Sequence, residues 1–396
     1  MTPQTPAETV PVLEIEAVLA RPDARVIDLR SPAEFAADHV PGARNAHLFD
    51  DAGRALVGWL YKQASPGAAF DEGRKLVTDR VDALVAEIGR TAGWAPPEAN
   101  LAALVNEMTS GGIEAMESSS EPMPAEDVGA DPVVLHCWRG GLRSRSVVAL
   151  VRRLGLNAVG LRGGYKAYRT LVMEQLETWQ APPAFVLRGL TGVGKTLVLR
   201  EIERIRPALT LDLEGCAGHR SSLLGMVGLE PVSQKAFDSR MAERLRAGFP
   251  GRVVLEGESR KVGDSVICGP VWRAMRGATN VLLSAPTEVR VRVLMDDYLE
   301  DPSARELLRT QLRTVAERMP GRPELVQMLD GGQEAELVEL LLKDYYDPLY
   351  RHSEKGKTYA LEVDASDVPQ AAERIVSWIT DAWSARRRGS NQGTSP

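Results

Sequence analysis

A phosphate-binding loop constrains the fold of this 396-residue chain more than any other feature. Residues 189–196 spell GLTGVGKT and match the pattern GxxxxGK[ST] without a mismatch. The apolar run 185–188 precedes the loop and predicts a buried strand, and helical spacing of apolar residues follows at 197–204. Further apolar runs alternate with helical segments up to about residue 285, and this alternation predicts an α/β domain with a parallel sheet.

The residues of this loop have separate tasks in holding a phosphate. Glycines let backbone N–H groups wrap the anion at the positive end of a helix, the lysine reaches the outer phosphates, and the threonine can hold Mg²⁺. The pattern leaves open whether the phosphates belong to a nucleotide or to the diphosphate of another substrate. The predicted phosphate-binding residues are Gly189, Gly192, Gly194, Lys195 and Thr196.

Length and composition predict a soluble protein of several domains. At roughly 100–200 residues per domain, two or three domains are expected. No apolar run approaches the roughly 18 residues of a membrane span, and the start of the chain has neither the basic nor the apolar segment of a signal peptide. Three cysteines lie far apart, which fits no disulfide framework and predicts a cytoplasmic location; Cys216 and Cys268 are expected to be structural.

The pattern of apolar residues predicts where the domains begin and end. We predict a first domain over residues 1–178, a second over 184–384 with a helical C-terminal part, and a disordered tail over 385–396. The first domain is expected to open with a helix at about residues 10–20 and to carry a helical insertion at about residues 50–130.

A cysteine loop in the first domain has the chemistry of a reactive site. Cys137 follows a predicted strand at 133–136 and precedes a helical segment. A loop in this position points several N–H groups at one atom, and together with Arg139 and Arg143 they would stabilise a thiolate. A thiolate there can attack an electrophile or carry a chalcogen atom. We therefore predict that Cys137, Arg139 and Arg143 are catalytic.

A basic stretch surrounds this cysteine. The net charge of −6 argues weakly against a nucleic-acid partner, yet residues 137–169 contain eight basic residues and no acidic one. A local charge of this kind attracts phosphates whatever the total charge of the protein. We expect RNA phosphates to bind this surface.

A second group of charged residues follows strand ends in the phosphate-loop domain. The strand-like segment 252–256 ends in an acid, as does the strand that supports Mg²⁺ in such domains. Either Glu256 or Glu258 fits that role, and a structural or solvated acid fits the pattern equally well. Because ligands bind at the carboxyl ends of parallel strands, these side chains should face one crevice. We predict no resident metal ion, and a Mg²⁺ requirement stays open. The candidate residues are Asp212, Glu256, Glu258, Arg260 and Lys261.

The first domain resembles a rhodanese domain. The segments DLRSPAEF at 28–35 and HVPGARN at 39–45 are similar to the family's first half, and Cys137 with LRGG at 161–164 to its second half. The spacing from cysteine to arginine is one residue longer than in the common sulfurtransferase loop, and it also matches phosphatases of the tyrosine-phosphatase type. The implied fold class is α/β, with a rhodanese-like domain carrying a helical insertion and a C-terminal P-loop domain with a parallel sheet.

The order of the motifs is similar to that of the tRNA 2-selenouridine synthase family. The segments CWRGGLRS at 137–144 and GGYKAYR at 163–169 are followed by the phosphate loop, by DLEGCAGHR at 212–220 and by ESRKVG at 258–263. The resemblance covers about residues 12–350. Each motif is moderately specific, and their order in one chain is highly specific.

This resemblance implies a transferase that acts on the wobble 2-thiouridine in the anticodon region of certain tRNAs. The family transfers a geranyl group from geranyl diphosphate to the sulfur and then replaces the S-geranyl group with selenium from selenophosphate. Cys137 occupies the position of the family's essential cysteine, where its thiolate would accept or steer selenium. No tightly bound cofactor is implied. Neither the oligomeric state nor the residues of a geranyl pocket follow from the sequence.

Two other functions remain open at the level of sequence. The first is a phosphatase fused to a P-loop domain, with Cys137 as nucleophile and Arg143 as phosphate clamp. The second is a non-catalytic, nucleoside-triphosphate-dependent RNA-binding protein whose cysteine loop is inert.

Overall fold

The structure is a computed structural model that describes most of the chain. The described residues are 10–21, 23–118, 122–124, 128–129, 131–222, 224–299, 304–319, 321, 324–353 and 356–391. The chain divides into two compact units, Met1–Val172 and Met173–Pro396. Within the described residues, no helix is both long enough and apolar enough to cross a membrane.

The first unit is built on a six-stranded sheet with the order β3-β2-β5-β6-β1-β4, in which all neighbours are parallel. Asp28 pairs with His136 across the neighbouring strands β2 and β5, so the carboxyl ends of those strands lie side by side. The strands are β1 (Val10–Leu13), β2 (Arg25–Asp28), β3 (Arg44–Asn45), β4 (Pro122–Pro124), β5 (Val133–His136) and β6 (Ala158–Leu161).

Helices cover this sheet, and four of them form the predicted helical insertion. The insertion comprises α3 to α6 and packs its buried apolar side chains, such as Leu84 and Ile88, onto the core of the sheet. The helices are α1 (Ile15–Leu19), α2 (Pro32–Ala37), α3 (Asp51–Gln63), α4 (Pro66–Ala92), α5 (Leu101–Thr109), α6 (Gly112–Ser118), α7 (Leu142–Arg153) and α8 (Gly164–Thr178), the last of which contains the division between the units.

Two segments of the first unit differ from the sequence prediction. Residues 10–20 are not one helix, because Val10–Leu13 form strand β1 and only Ile15–Leu19 are helical. Valine and leucine at positions 10, 12 and 13 are almost fully buried between two parallel neighbours, where β-branched side chains pack well. Strand β4 likewise lies inside the predicted helical insertion and pairs with β1.

The second unit is built on a five-stranded parallel sheet with the order β13-β12-β7-β9-β8, as the alternation of strands and helices predicts. An antiparallel hairpin of β10 and β11 stands apart from it. The strands are β7 (Ala184–Arg188), β8 (Thr210–Leu211), β9 (Val253–Glu256), β10 (Lys261–Val262), β11 (Ser265–Val266), β12 (Thr279–Ser284) and β13 (Leu361–Asp364).

Two apolar cores hold this unit together. One joins the sheet to α9 and α18, and the other lies among the helices that follow β12. The helices are α9 (Lys195–Ile205), α10 (Leu213–Ala217), α11 (Gln234–Ala247), α12 (Gly269–Arg276), α13 (Thr287–Leu299), α14 (Arg305–Arg318), α15 (Leu325–Asp330), α16 (Glu334–Leu341), α17 (Asp347–Ser353) and α18 (Val368–Asn391), with a π-helical turn at Leu342–Tyr346.

The end of the chain differs from the predicted tail over residues 385–396. Helix α18 continues through that segment to Asn391, and residues 392–396 lie outside the described residues. The physical reason is the composition of residues 385–388, alanine followed by three arginines, which are good helix formers and extend a helix already begun.

Candidate functional site

The cysteine loop connects the end of β5 to the start of α7. Cys137 is the first residue after the strand and only 2% of its surface is exposed. Its Sγ lies 3.3 Å from Oγ of Ser144, and that hydroxyl donates to the carbonyl of Gly141 at 3.2 Å. Gly140 has a φ of +64°, a left-handed conformation that lets the loop turn back toward the helix. The thiol is therefore held at a fixed point at the N-terminal end of α7.

A pair of glycines at the start of α8 packs directly against this loop. Gly164 has a φ of +57°, and a Cβ there would come within 3.0 Å of backbone atoms of Cys137, Arg139 and Gly140. The next amide, that of Tyr165, donates to the carbonyl of Cys137 at 2.9 Å. Glycine at position 164 is thus required by close contact between two backbones, which only glycine permits.

A buried ionic network contacts the cysteine loop through Tyr165. Arg30 donates to Oδ2 of Asp28 at 2.6 and 2.9 Å and to Oδ1 at 3.1 Å, and its guanidinium lies 3.7 Å from the ring centre of Tyr165. The hydroxyl of Tyr165 donates to Asp38 at 2.7 Å, and Arg169 approaches the same carboxylate at 3.5 Å. Burial and the charge of Asp38 raise the pKa of Tyr165, so its hydroxyl stays protonated. The network joins the end of β2, the residue after α2 and the start of α8, where the amide of Tyr165 also contacts Cys137.

His136 is a buried part of the same support. Its side chain is fully buried, with Nδ1 3.3 Å from the carbonyl oxygen of Cys137 and 3.8 Å from Asp28. Burial lowers the pKa of His136, so the ring is neutral at pH 7. A neutral ring beside the carbonyl orients the loop and is poorly placed to act as a base at the thiol.

A cavity of about 630 Å³ adjoins the cysteine loop. Cys137, Arg139 and Arg143 line one side of it, and helices α3 to α6 provide much of the remainder. Neither arginine has an ion-pair partner among the residues that the structure describes. Their charges are therefore available to an anion in the cavity.

The phosphate loop in the second unit runs from β7 into α9. Gly189, Gly192 and Gly194 have φ values of +149°, +79° and +81°. A Cβ at Gly189 would come within 2.5 Å of the carbonyl oxygen of Leu283, so the loop also requires glycine for contact with β12. This conformation turns successive N–H groups toward one concave surface at the N-terminus of α9.

A buried arginine on α13 holds the loop in this conformation. Arg290 donates from Nε to the carbonyl of Thr191 at 2.9 Å and pairs with Asp347 at 2.5 Å. With only 5% of its surface exposed, Arg290 fixes one side of the loop, and the paired carboxylate compensates its charge.

Lys195 and Thr196 face a group of acids. Burial alone lowers the pKa of Lys195, but the nearby Tyr350 and the surrounding glutamates outweigh it and leave the pKa raised, so the side chain is cationic. The hydroxyl of Thr196 lies 2.9 Å from Glu214 and 2.8 Å from Glu256. The lysine and the threonine therefore both lie beside the same group of acids at the start of α9.

Three carboxylates meet beside Thr196. Ligand oxygens of Glu214, Glu256 and Glu258 all lie within 4.8 Å of one another. Burial, followed by the charge of Glu214, raises the pKa of Glu258 to about 7 and raises that of Glu256 well above its usual range. Carboxylate and hydroxyl oxygens are the ligands that Mg²⁺ prefers, and a divalent cation would relieve this repulsion, so the residues fit that ion.

The other candidate residues of the second unit have different positions. Asp212 caps α10, accepting from the amide of Gly215 at 2.6 Å, and lies 3.6 Å from Arg200. Arg260 and Lys261 are exposed at the start of the β10–β11 hairpin. They are not among the described residues that line the cavity of about 340 Å³ at the phosphate loop.

Similarity to known proteins places this chain in a family. Residues 182–319 match the family model described as the tRNA 2-selenouridine synthase AAA domain. The tRNA 2-selenouridine synthase of Chromohalobacter salexigens is 30% identical over 371 residues, which cover 87% of this chain and 91% of that relative. The chain belongs to the tRNA 2-selenouridine synthase family. The Bordetella petrii protein of the same name is 31% identical, and the match covers 85% of this chain and 88% of that protein. The protein of Pseudomonas syringae pv. syringae, also of this name, is 30% identical, and the match covers 86% of this chain and 91% of that protein.

Family membership confirms the resemblance drawn from the order of the motifs. Sequence reasoning nevertheless left several residues of the site without a role. Glu214 follows the same strand end as Asp212, so it was expected to face the same crevice, but no role of its own was assigned to it. Tyr350 lies 155 positions beyond Lys195 in the sequence, and no motif marks it. In the structure its ring centre is 5.3 Å from Nζ of Lys195.

Proposed function

We propose that this member of the family converts wobble 2-thiouridine in tRNA into 2-selenouridine. Relatives named tRNA 2-selenouridine synthase match 87% of the chain, which supports the reaction as a whole. The observation that carries the proposal is the placement of Cys137 in a cavity wall with Arg139 and Arg143. A thiol beside arginines that have no ion-pair partner in the described part of the chain suits an anionic chalcogen donor.

In the first step the sulfur of 2-thiouridine attacks the carbon of geranyl diphosphate that bears the diphosphate. A C–S bond forms, the C–O bond breaks, diphosphate leaves with the bonding electrons, and the base loses its N3 proton. Cationic groups at the departing diphosphate stabilise the charge that develops as this bond breaks.

In the second step selenium from selenophosphate attacks C2 of the modified base. The C2–Se bond forms, the C2–S bond breaks and geranylthiol leaves, while water cleaves the P–Se bond and releases phosphate. We assign the binding of selenophosphate to Arg139 and Arg143, and the steering of its selenium to Cys137. The basic residues between 137 and 169 would bind phosphates of the anticodon region.

The phosphate loop would hold either a nucleotide or geranyl diphosphate. Gly189, Gly192, Gly194 and Lys195 would bind the phosphates. Thr196 with Glu214, Glu256 and Glu258 would hold Mg²⁺, which when bound supplies positive charge that shields phosphate oxygens. A tRNA substrate would place the reaction in the cytoplasm.

Mass spectrometry of tRNA nucleosides tests this function. Cells that lack the protein should contain 2-thiouridine and no 2-selenouridine, and the wild-type gene should restore 2-selenouridine. Cys137→Ser should fail to restore it. Cys268→Ser is the matched control, because Cys268 precedes α12 at a position where serine caps a helix well.

Normal 2-selenouridine in cells without the protein would overturn the proposal. If the purified chain also released phosphate from p-nitrophenyl phosphate, and Cys137→Ser abolished that release, the phosphatase alternative would replace it. Retained tRNA binding without any change in nucleosides would favour the non-catalytic alternative.

A further inference from the structure

The cavity beside Cys137 is a separate feature from the phosphate loop, none of whose residues line it. It lies wholly within the first unit, between the cysteine loop and the helical insertion. Its volume of about 630 Å³ is within the range of roughly 300–1,000 Å³ that small-molecule pockets occupy. The insertion therefore does more than cover the sheet: it encloses a space next to the reactive thiol.

The walls of this cavity are mainly hydrocarbon. Phe49, Leu84 and Val105 are almost fully buried core residues that also reach the cavity surface, and Phe70 and Met108 add larger apolar faces. These residues come from helices α4 and α5 and from the segment before α3. Such a surface favours an apolar group, because transfer of hydrocarbon out of water stabilises the complex.

The charged residues in the described lining of the cavity are all cationic. Arginine or lysine lines it at positions 54, 62, 74, 139 and 143, and no aspartate or glutamate occurs among its described lining residues. Arg54 has one acidic neighbour, Glu34, whose carboxylate lies 3.5 Å from Nε, and this Nε is buried without a hydrogen bond. An apolar interior with a cationic boundary is complementary to an amphiphile that has a hydrocarbon chain and an anionic head.

The cavity at the phosphate loop has residues of both charges in its lining. Glu214 and Asp297 line it together with Lys195, Arg200 and Arg220. Mixed charge of this kind suits a phosphate that arrives with a cation, and it gives a hydrocarbon chain less apolar wall than the first unit provides.

We propose that the cavity between the cysteine loop and helices α3 to α6 binds the geranyl chain of geranyl diphosphate, with the diphosphate at its cationic residues. This inference rests on the proposed function, because that function supplies the prenyl diphosphate. It assigns a nucleotide to the phosphate loop. It also places the S-geranyl group, which must later leave the base, beside the thiol that steers selenium.

Equilibrium binding of geranyl diphosphate and dimethylallyl diphosphate to the full chain tests the inference. Ala69 lines the cavity and is 4% exposed, so Ala69→Phe should shorten the space for the chain. We expect about a tenfold or greater loss of affinity for the ten-carbon ligand and little change for the five-carbon ligand. Ala55→Phe, on an exposed part of α3 outside the lining, is the control and should change neither.

Further variants separate folding and charge from chain recognition. Met108→Phe also adds bulk to the cavity but conserves volume more closely, so it replaces Ala69→Phe if that variant fails to fold. Arg74→Gln should weaken binding of geranyl diphosphate and leave binding of uncharged geraniol unchanged. Lys195→Ala should abolish nucleotide binding and leave binding of geranyl diphosphate unchanged.

The outcomes distinguish this inference from the proposed function. The inference is overturned if Lys195→Ala loses binding of geranyl diphosphate while the cavity variants keep the wild-type preference for chain length. The prenyl group would then bind at the phosphate loop. The proposed function would survive that result. It fails separately if cells without the protein retain normal 2-selenouridine.

Discussion

The contact between Gly164 and the cysteine loop gives the sharpest prediction of this structure. Gly164→Ala places a methyl group where three backbone atoms of residues 137–140 already lie within 3.0 Å. The left-handed conformation alone costs about 1–2 kcal/mol for a non-glycine residue. Forcing the two backbones apart costs about 1–3 kcal/mol more, as overpacking does elsewhere. We therefore expect a loss of about 2–5 kcal/mol.

A second glycine in the same unit provides the control. Gly93 ends α4 with a φ of +62°, close to that of Gly164, but a Cβ there meets nothing within 4 Å. Gly93→Ala should therefore show only the conformational cost, about 1–2 kcal/mol. The difference between the two variants isolates the contact with the cysteine loop.

Pulsed alkylation of Cys137 across a urea series measures this loss in the relevant unit. The thiol is 2% exposed in the native chain, so its modification reports unfolding of the segment around it. The urea concentration at half modification should fall further for Gly164→Ala than for Gly93→Ala, and nucleoside analysis should show reduced 2-selenouridine for the former alone. Equal shifts for both variants would refute the claim that the two backbones touch.

Three further predictions concern protonation and hydrogen bonding. Burial raises the pKa of Glu258 from 4.5 to about 7, so its contribution to stability is greatest below pH 4.5. That contribution, about 3 kcal/mol without divalent cations, is lost as the pH rises through about 7. In urea titrations Glu258→Gln should flatten this pH dependence and the exposed Glu243→Gln should not; equal slopes for the two variants would contradict the burial argument. Tyr165→Phe removes the donor to Asp38 and should lower the free energy of unfolding by about 1.5–3 kcal/mol in the same titrations. The exposed Tyr61→Phe is the control and should change this free energy little. Unchanged stability of Tyr165→Phe would exclude the hydrogen bond from the folded state. Burial raises the pKa of Cys216 to about 12, so iodoacetamide at pH 8 should modify its thiol slowly in the native chain and rapidly in urea. Peptide mass spectrometry measures both rates, and similar rates would contradict the burial of this thiol.

Much of the chemistry could be predicted because it is contiguous in the sequence. The phosphate loop and the cysteine loop each bring their functional groups together within eight residues, so local pattern suffices to locate them. The parallel sheets follow from the same reasoning, since strands that alternate with helices have few other arrangements. Strand β1 was assigned wrongly because its four residues are too short a run for periodicity to separate strand from helix.

The remainder depends on contacts between distant segments. Asp38 and Arg169 meet although 131 positions separate them, and Tyr350 on α17 lies close to Lys195. Proximity to a strand end suggested that Arg260 and Lys261 face the phosphate loop. The chain turns into an exposed hairpin there, and a strand end does not by itself specify where the following side chains point.

The two cavities differ in a way that bears on how the chemistry is divided. Geranyl diphosphate and a nucleotide both carry phosphates, so phosphate binding alone cannot assign them. At the three carboxylates of the phosphate loop, a polyphosphate needs a cation between itself and the acids. The cavity of the first unit has arginine and lysine residues and no carboxylate among its described lining residues, so it binds a diphosphate directly. Its apolar wall adds the hydrophobic contribution of a ten-carbon chain. The electrostatics of each unit therefore select different ligands, and the helical insertion is the part of the chain that makes this selection.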